Sequence, residues 1–275
     1  MLAILVFLAT PAHAAREVAL TFDDLPNLTA DEDSVATTGT IMQGIIGQLT
    51  RAHVPAIGFV VESKLLDERE QPDPRMIKLL DAWLAAGFDL GNHTFSHEPM
   101  SNTPLAAYED DIVRGERISR PLAAQHGRPY AWFRFPFLDE GRTDEERDEV
   151  DRFLTDHGYR VAPVTIDNSE WIFALAWRHA RHRVTRWRLG RAYVRYMEER
   201  FAWYEARSRG PQILLLHADA LNAALLPKLL EMIRRRGYAF VTIDEAMREP
   251  VAEVEEVDDP QVPPWVQRLA GVTEQ

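Results

Sequence analysis

Residues 56–61 read AIGFVV, residues 73–87 read DPRMIKLLDAWLAAG and residues 88–91 read FDLG, and this succession decides the fold. The first piece is an apolar run of strand length. In the second, Asp73 is placed to cap a helix, Pro74 takes the first helical position, where its missing N–H is no loss, and Gly87 supplies the stop. The third is again a strand. Working outward, the same rhythm repeats on both sides. Residues 17–23 (EVALTFD), 130–135, 159–166, 213–217 and 239–243 read as strands. Residues 34–51 (with Ile41, Ile45, Ile46 and Leu49 at helical spacing), 105–125, 144–157 and 222–236 read as helices. No tight Asn-Gly hairpin interrupts them. Alternation of this kind predicts an α/β domain built from parallel βα units. Polar residues recur just after many of the strands, which favours a closed or nearly closed barrel with its chemistry at the C-terminal strand ends.

Two segments break the rhythm. Residues 172–209 stand where one crossover is expected, yet they are long and carry ten Arg against three Glu. Trp187, Arg191, Val194, Met197, Phe201 and Tyr204 follow helical spacing there, which predicts a helix packing that stripe on the barrel. Residues 251–275 read as an acidic, Pro-containing tail around a single domain at 15–250.

The formal charge of -12 and the absence of cysteine narrow the partners and the chemistry. A molecule this acidic is not drawn as a whole to nucleic acid or anionic lipid, and it has no disulfide or thiolate site. Residues 2–10 (LAILVFLAT) followed by Ala12-His13-Ala14 predict an export signal cleaved after Ala14, hence a secreted or periplasmic protein. No later run has the length of an integral membrane span.

Five elements carry candidate chemistry, each just after a strand or at its end. Thr21-Phe22-Asp23-Asp24 offers two carboxylates, one able to bind a metal while its neighbour acts as a base. His93-Thr94-Phe95-Ser96-His97 offers two imidazoles four apart on one turn, able to grip a single cation. Phe133-Arg134-Phe135-Pro136-Phe137, Asp167-Asn168-Ser169-Glu170-Trp171 and Leu214-Leu215-Leu216-His217 follow in order. Taken singly, none is specific.

Together they resemble the five ordered motifs of the polysaccharide deacetylase family, the NodB-homology group known as carbohydrate esterase family 4: T-F-D-D, H-[ST]-x-x-H, R-x-P-[FY], D-x-x-x-W and L-x-H. The resemblance runs from Thr21 to His217 and continues through residues 237–242. It implies a distorted (β/α)7 barrel and hydrolysis of acetyl groups on an acetylated carbohydrate, with an N-acetylglucosamine oligomer or polymer as the leading substrate. It further implies that Asp24, His93 and His97 bind one divalent ion, Zn2+ first and Co2+ or Ni2+ as alternatives. Asp23 would be the base, held by Arg134. His217 would be the acid, tuned by Asp167. Trp171 and Leu215 would surround the acetyl methyl, and the N–H of Phe137 would stabilise the oxyanion.

Two departures stand out. Leu25 replaces a Gly common after the Asp pair, which predicts a stiffer loop and a narrower cleft, and Phe137 replaces a more frequent Tyr. An O-acetyl esterase acting on xylan-type polymers and a carbohydrate-binding barrel without activity are the competing readings. Competent residues at every expected position argue against the second.

Overall fold

The computed structural model describes residues 16–30, 32–251 and 258–272; the expected export signal at residues 1–14 lies outside them, as do parts of the expected tail. Chain order runs β1 (Arg16–Leu25), α1 (Val35–Ala52), β2 (Ala56–Val60), α2 (Pro74–Ala85), β3 (Asp89–Asn92), α3 (Leu105–Arg114), α4 (Ser119–Gln125), β4 (Trp132–Phe133) and α5 (Asp144–Asp156). It continues through β5 (Arg160–Val161), α6 (Glu170–His179), α7 (Arg183–Glu205), β6 (Gln212–His217), α8 (Ala220–Arg235), β7 (Tyr238–Val241), α9 (Ile243–Ala246) and α10 (Pro264–Ala270).

Every strand pairing is parallel, in the order β5-β4-β3-β2-β1-β6, with β7 on the first residues of β1. The curled sheet is closed by a single bridge from Ile166 to Leu214, beyond β5. This is a distorted seven-stranded β/α barrel, as the alternation predicts. The distortion has a local cause: the runs at 130–135 and 159–166 form a ladder with each other only at Trp132–Phe133 and Arg160–Val161, the second run adding just the bridge at Ile166. Pro163 lacks the N–H needed to continue the second ladder.

Alternation along β1 and β6 sorts the two faces. Val18, Leu20, Phe22, Leu214 and Leu216 join the large core under the helices. Ala19 and Ile213 join a smaller cluster with Ile57, Phe59, Trp132 and Ile243 inside the barrel. Both faces are therefore apolar, which is why these strands read as near-continuous hydrophobic runs. The inner parity of β1 continues through Thr21 to Asp23, and that of β6 through Leu215 to His217.

The helix expected at 105–125 is two helices. Gly115 is the reason for the close approach at the break: a Cβ there would lie 2.6 Å from the Thr94 carbonyl carbon and 2.7 Å from Asn92 Oδ1. The 172–209 segment is likewise two helices, broken around Ala180 to His182. Only part of the expected stripe is core. Met197, Phe201 and Tyr204 are buried together with Leu189, Tyr193 and Tyr196, whereas Trp187 is 60% exposed and Arg191 is exposed. Of the tail, α10 packs on α6 and buries Val266.

Candidate active site

In a regular strand Asp23 and Asp24 would face opposite ways. A bulge prevents this. Phe22 pairs with Gly58 but Leu25 with Val60, so β1 carries one extra residue at this point, and Asp24 sits at φ 64°. Both carboxylates consequently line one cleft. Leu25 does not narrow it: the side chain is fully buried and covers Gly58, where an added Cβ would come within 2.3 Å of Leu25 Cδ2.

Asp23 lies next to His217 in the β1–β6 register and accepts from Arg134 Nη1 at 3.3 Å. Arg134 is itself buried, donates also to Thr21 Oγ1 (3.2 Å) and lies over the Phe59 ring. Burial pushes the Asp23 carboxyl up to about 6, against the opposing pull of Arg134 and His217. Its Oδ1 is buried and has no hydrogen-bond partner among the described residues.

His93 and His97 are not on a helical turn, contrary to the expectation from their spacing. They sit in a loop bent by two left-handed residues, Thr94 (φ 63°) and His97 (φ 61°). Asn92 Oδ1 accepts from Thr94 N (2.8 Å), Thr94 Oγ1 from His97 N (3.0 Å), and Asp111 Oδ2 from Ser96 N (2.9 Å). His93 Nδ1 donates to the Arg134 carbonyl at 2.8 Å, which leaves Nε2 as the free lone pair.

One ligand atom from each of Asp24, His93 and His97 lies within 4.8 Å of the other two. Burial lowers both imidazoles, so each is neutral at neutral pH and able to ligate. Burial alone would raise Asp24, but Lys64 and the two imidazoles outweigh it and hold the carboxyl well below the usual range. Two neutral nitrogens and one ionised oxygen, held by backbone and side-chain bonds from behind, fit a divalent ion with an open position. Lys64 donates to Asp24 Oδ1 at 3.0 Å and is nearly buried; nothing in its sequence surroundings marks it.

The expected partner of His217 is corrected by the geometry. His217 Nδ1 donates to Glu170 Oε2 at 2.7 Å, and Glu170 is fully buried. Asp167 lines the cleft but its Oδ1 accepts from Ser169 N (3.1 Å). Ser169, left-handed at φ 46°, precedes α6, and the first residue of that helix, Glu170, meets the imidazole. Burial pushes Glu170 up to about 7.

Trp171, Leu215, Leu175 and Phe137 give the cleft of about 520 Å³ its apolar wall. Phe137 is 66% exposed, sits at φ 58° and packs its ring on His97, centroid to centroid 4.6 Å. Six of the nine described non-glycine residues with positive φ (Asp24, Thr94, His97, Phe137, Leu138 and Ser169) belong to these loops. Strain concentrated this way marks a functional mouth.

The polysaccharide deacetylase family model matches residues 11–162, more than half of the chain, and the chain belongs to that family. Among curated relatives, a chitooligosaccharide deacetylase from a Bradyrhizobium species is 28% identical over 110 residues, 40% of this chain and 42% of that protein. The chain thus spans less than half the length of this relative. A peptidoglycan-N-acetylglucosamine deacetylase from Bacillus cereus is 24% identical over 237 residues, 84% of this chain and 88% of that one. A solved structure from Bacillus anthracis, a pseudoenzyme of carbohydrate esterase family 4, superposes with a TM-score of 0.60 at 14% identity, covering 85% of this chain and 66% of that one. The fold is therefore shared with a protein whose name denies it activity, and the residues of the cleft must carry the functional argument.

Proposed function

We propose that this chain is a metal-dependent deacetylase that hydrolyses N-acetyl groups of an acetylated carbohydrate, with N-acetylglucosamine-containing oligomers or polymers as the favoured substrate. The observation that carries the reading is the convergence of Asp24, His93 and His97 within 4.8 Å, beside a cleft that also holds Asp23 and the Glu170-paired His217. The names of the relatives support the substrate class.

A divalent ion held by Asp24, His93 and His97, zinc by first choice, would supply a Lewis acid that activates water and polarises the acetyl carbonyl. Asp23 takes the proton of the attacking water; its free Oδ1 and its raised pKa suit a base working near neutral pH. Arg134 fixes the other oxygen. His217 presents Nε2 to the cleft because Nδ1 is engaged by Glu170, and it donates a proton to the departing amine. Trp171 and Leu215 exclude water around the acetyl methyl, and the Phe137 N–H supports the oxyanion. Export of the chain accords with an extracellular polymer as substrate, and no helix among the described residues is long and apolar enough to cross a membrane.

The test is acetate release from chitin-type oligomers, peptidoglycan, poly-N-acetylglucosamine and acetylxylan, with stoichiometric zinc and after chelation. Release from N-acetyl substrates that disappears on chelation and returns with zinc is expected. Turnover of acetylxylan alone would make the chain an O-acetyl esterase, and no release from any of the four would leave a binding barrel.

A further inference from the structure

Behind His217 a chain of buried polar groups leads away from the cleft into the inserted helix pair. Asn222, fully buried in the first turn of α8, donates from Nδ2 to Glu170 Oε1 (2.6 Å) and to the main-chain oxygen of His217 (2.9 Å). An amide nitrogen has two hydrogens, and these two short bonds use both. A third approach, to Asp219 Oδ2, is longer at 3.4 Å. Asn222 Oδ1 accepts from the hydroxyl of Tyr193, 3.0 Å away and fully buried in α7. The orientation of the amide is decided by the main-chain oxygen of His217, which can only accept, so nitrogen must face it. Both oxygens of Glu170 are then engaged, Oε2 by His217 and Oε1 by Asn222. Asp219, which also hydrogen-bonds Glu170, is pushed well above the usual carboxylate range by burial and by Glu170.

We propose that Asn222, oriented by Tyr193, is a positioning residue that sets the ring plane and tautomer of His217. It grips this residue twice, through Glu170 on the imidazole and through the His217 carbonyl on the backbone. The inference rests on the reading of His217 as the proton donor. The 172–209 insertion thereby acquires a role, since α7 becomes a buttress whose Tyr193 reaches the acid side of the cleft through one amide. An asparagine that merely satisfied a buried helix start would leave the imidazole indifferent to its replacement.

The experiment compares the zinc-loaded wild type with Asn222→Asp, Asn222→Ala and Tyr193→Phe, using an N-acetylglucosamine tetramer and 4-nitrophenyl acetate as substrates. Asn222→Asp keeps the shape but turns a donor toward Glu170 into an acceptor. It should lower kcat on the tetramer roughly 10- to 100-fold, as loss of an orienting partner does, with KM little changed. Tyr193→Phe should lower kcat roughly 2- to 10-fold. Losses on the activated ester should be smaller throughout. Proton–nitrogen NMR of histidine-labelled protein supplies the independent readout. The Nδ1–H signal of His217, assigned by its absence in His217→Gln, should shift or broaden in Asn222→Asp while that of His93 stays. Tyr193→Phe keeps the amide and the packing, so it tests the chain even if the Asn222 variants do not fold. If the wild type releases no acetate from any substrate, the functional reading fails while the NMR comparison still decides the positioning. An unmoved His217 signal in the folded variants, or losses equal on amide and ester, overturns the proposal.

Discussion

The two sides of the cleft are built differently. The side proposed to hold a metal takes Asp23 and Asp24 from a bulged strand end, and His93 and His97 from a loop whose backbone N–H groups donate to the side chains of Asn92 and Asp111. Its donors come from three strand ends of one parallel sheet, β1, β3 and β4, the last supplying Arg134. The acid side takes His217 from β6 but borrows everything that orients it from helices: Glu170 from α6, Asn222 from α8 and Tyr193 from α7. The first constellation needs one helical residue, Asp111 of α3, whereas the second draws its partners from three helices that close over it. A barrel can therefore keep its metal site and lose its acid, or the reverse, and the two sides respond separately to substitution.

The largest effect should come from the metal side. His97→Ala should strip the divalent ion and cut acetate release by about three orders of magnitude or more, with circular dichroism unchanged. Full metal content by elemental analysis in that variant would break the assignment. Next, Asp23→Asn should retain the ion yet lose roughly 10²- to 10⁴-fold in kcat, because the base is gone and the ligand remains. Asp24→Asn should do the opposite, weakening metal binding first. On the acid side, His217→Ala should separate substrates: an N-acetyl amide suffers more than an activated acetyl ester, whose leaving group needs no proton. Equal losses would remove His217 from the acid role.

The buried ion pair offers a stability test of the metal side. Arg134→Leu leaves Asp23 buried opposite no cation, and urea unfolding should show a loss of about 3–5 kcal/mol. The smallest effect is on the acid side and depends on pH. Glu170 titrates near 7 in the fold, against 4.5 for an ordinary glutamate, because it is buried. The unfolded chain releases this proton first as pH rises, so the fold binds more protons between the two values. Stability from this group is thus complete below about 4.5 and declines up to about 7. The span amounts to about 3 kcal/mol at most. The urea midpoint of metal-free Glu170→Gln relative to that of the wild type should rise across pH 4.5 to 7, because the wild type alone loses the Glu170 contribution there. An identical slope in both would show that Glu170 is not the group responsible.

Most of the metal side was legible in residue order. T-F-D-D and H-T-F-S-H named the donors that converge there, because a metal site calls for particular donor atoms and few residue types supply them. What the spacing suggested about geometry was less reliable. His93 and His97 meet through left-handed residues in a loop, not on a helical turn, and two adjacent aspartates share a cleft only because β1 is bulged. On the acid side the DNSEW stretch offered two carboxylates, Asp167 and Glu170, three apart. It is Glu170, the first residue of α6 after the left-handed Ser169, that meets His217.

By itself the sequence determined the parallel α/β alternation, the helix cap at Asp73, and the donor types placed after the strands. These are local consequences of periodicity and side-chain chemistry. The tertiary structure alone decided the break at Gly115, where the loop carrying His93 and His97 passes too close for a side chain, and the burial of only half the α7 stripe. It alone recruited Lys64, Asn222 and Tyr193, which stand 40, 52 and 29 positions from their partners Asp24, Glu170 and Asn222 respectively. Hydrogen bonds between residues so far apart leave no periodic trace in the chain. They exist only once the sheet has curled and the helices have closed over its mouth.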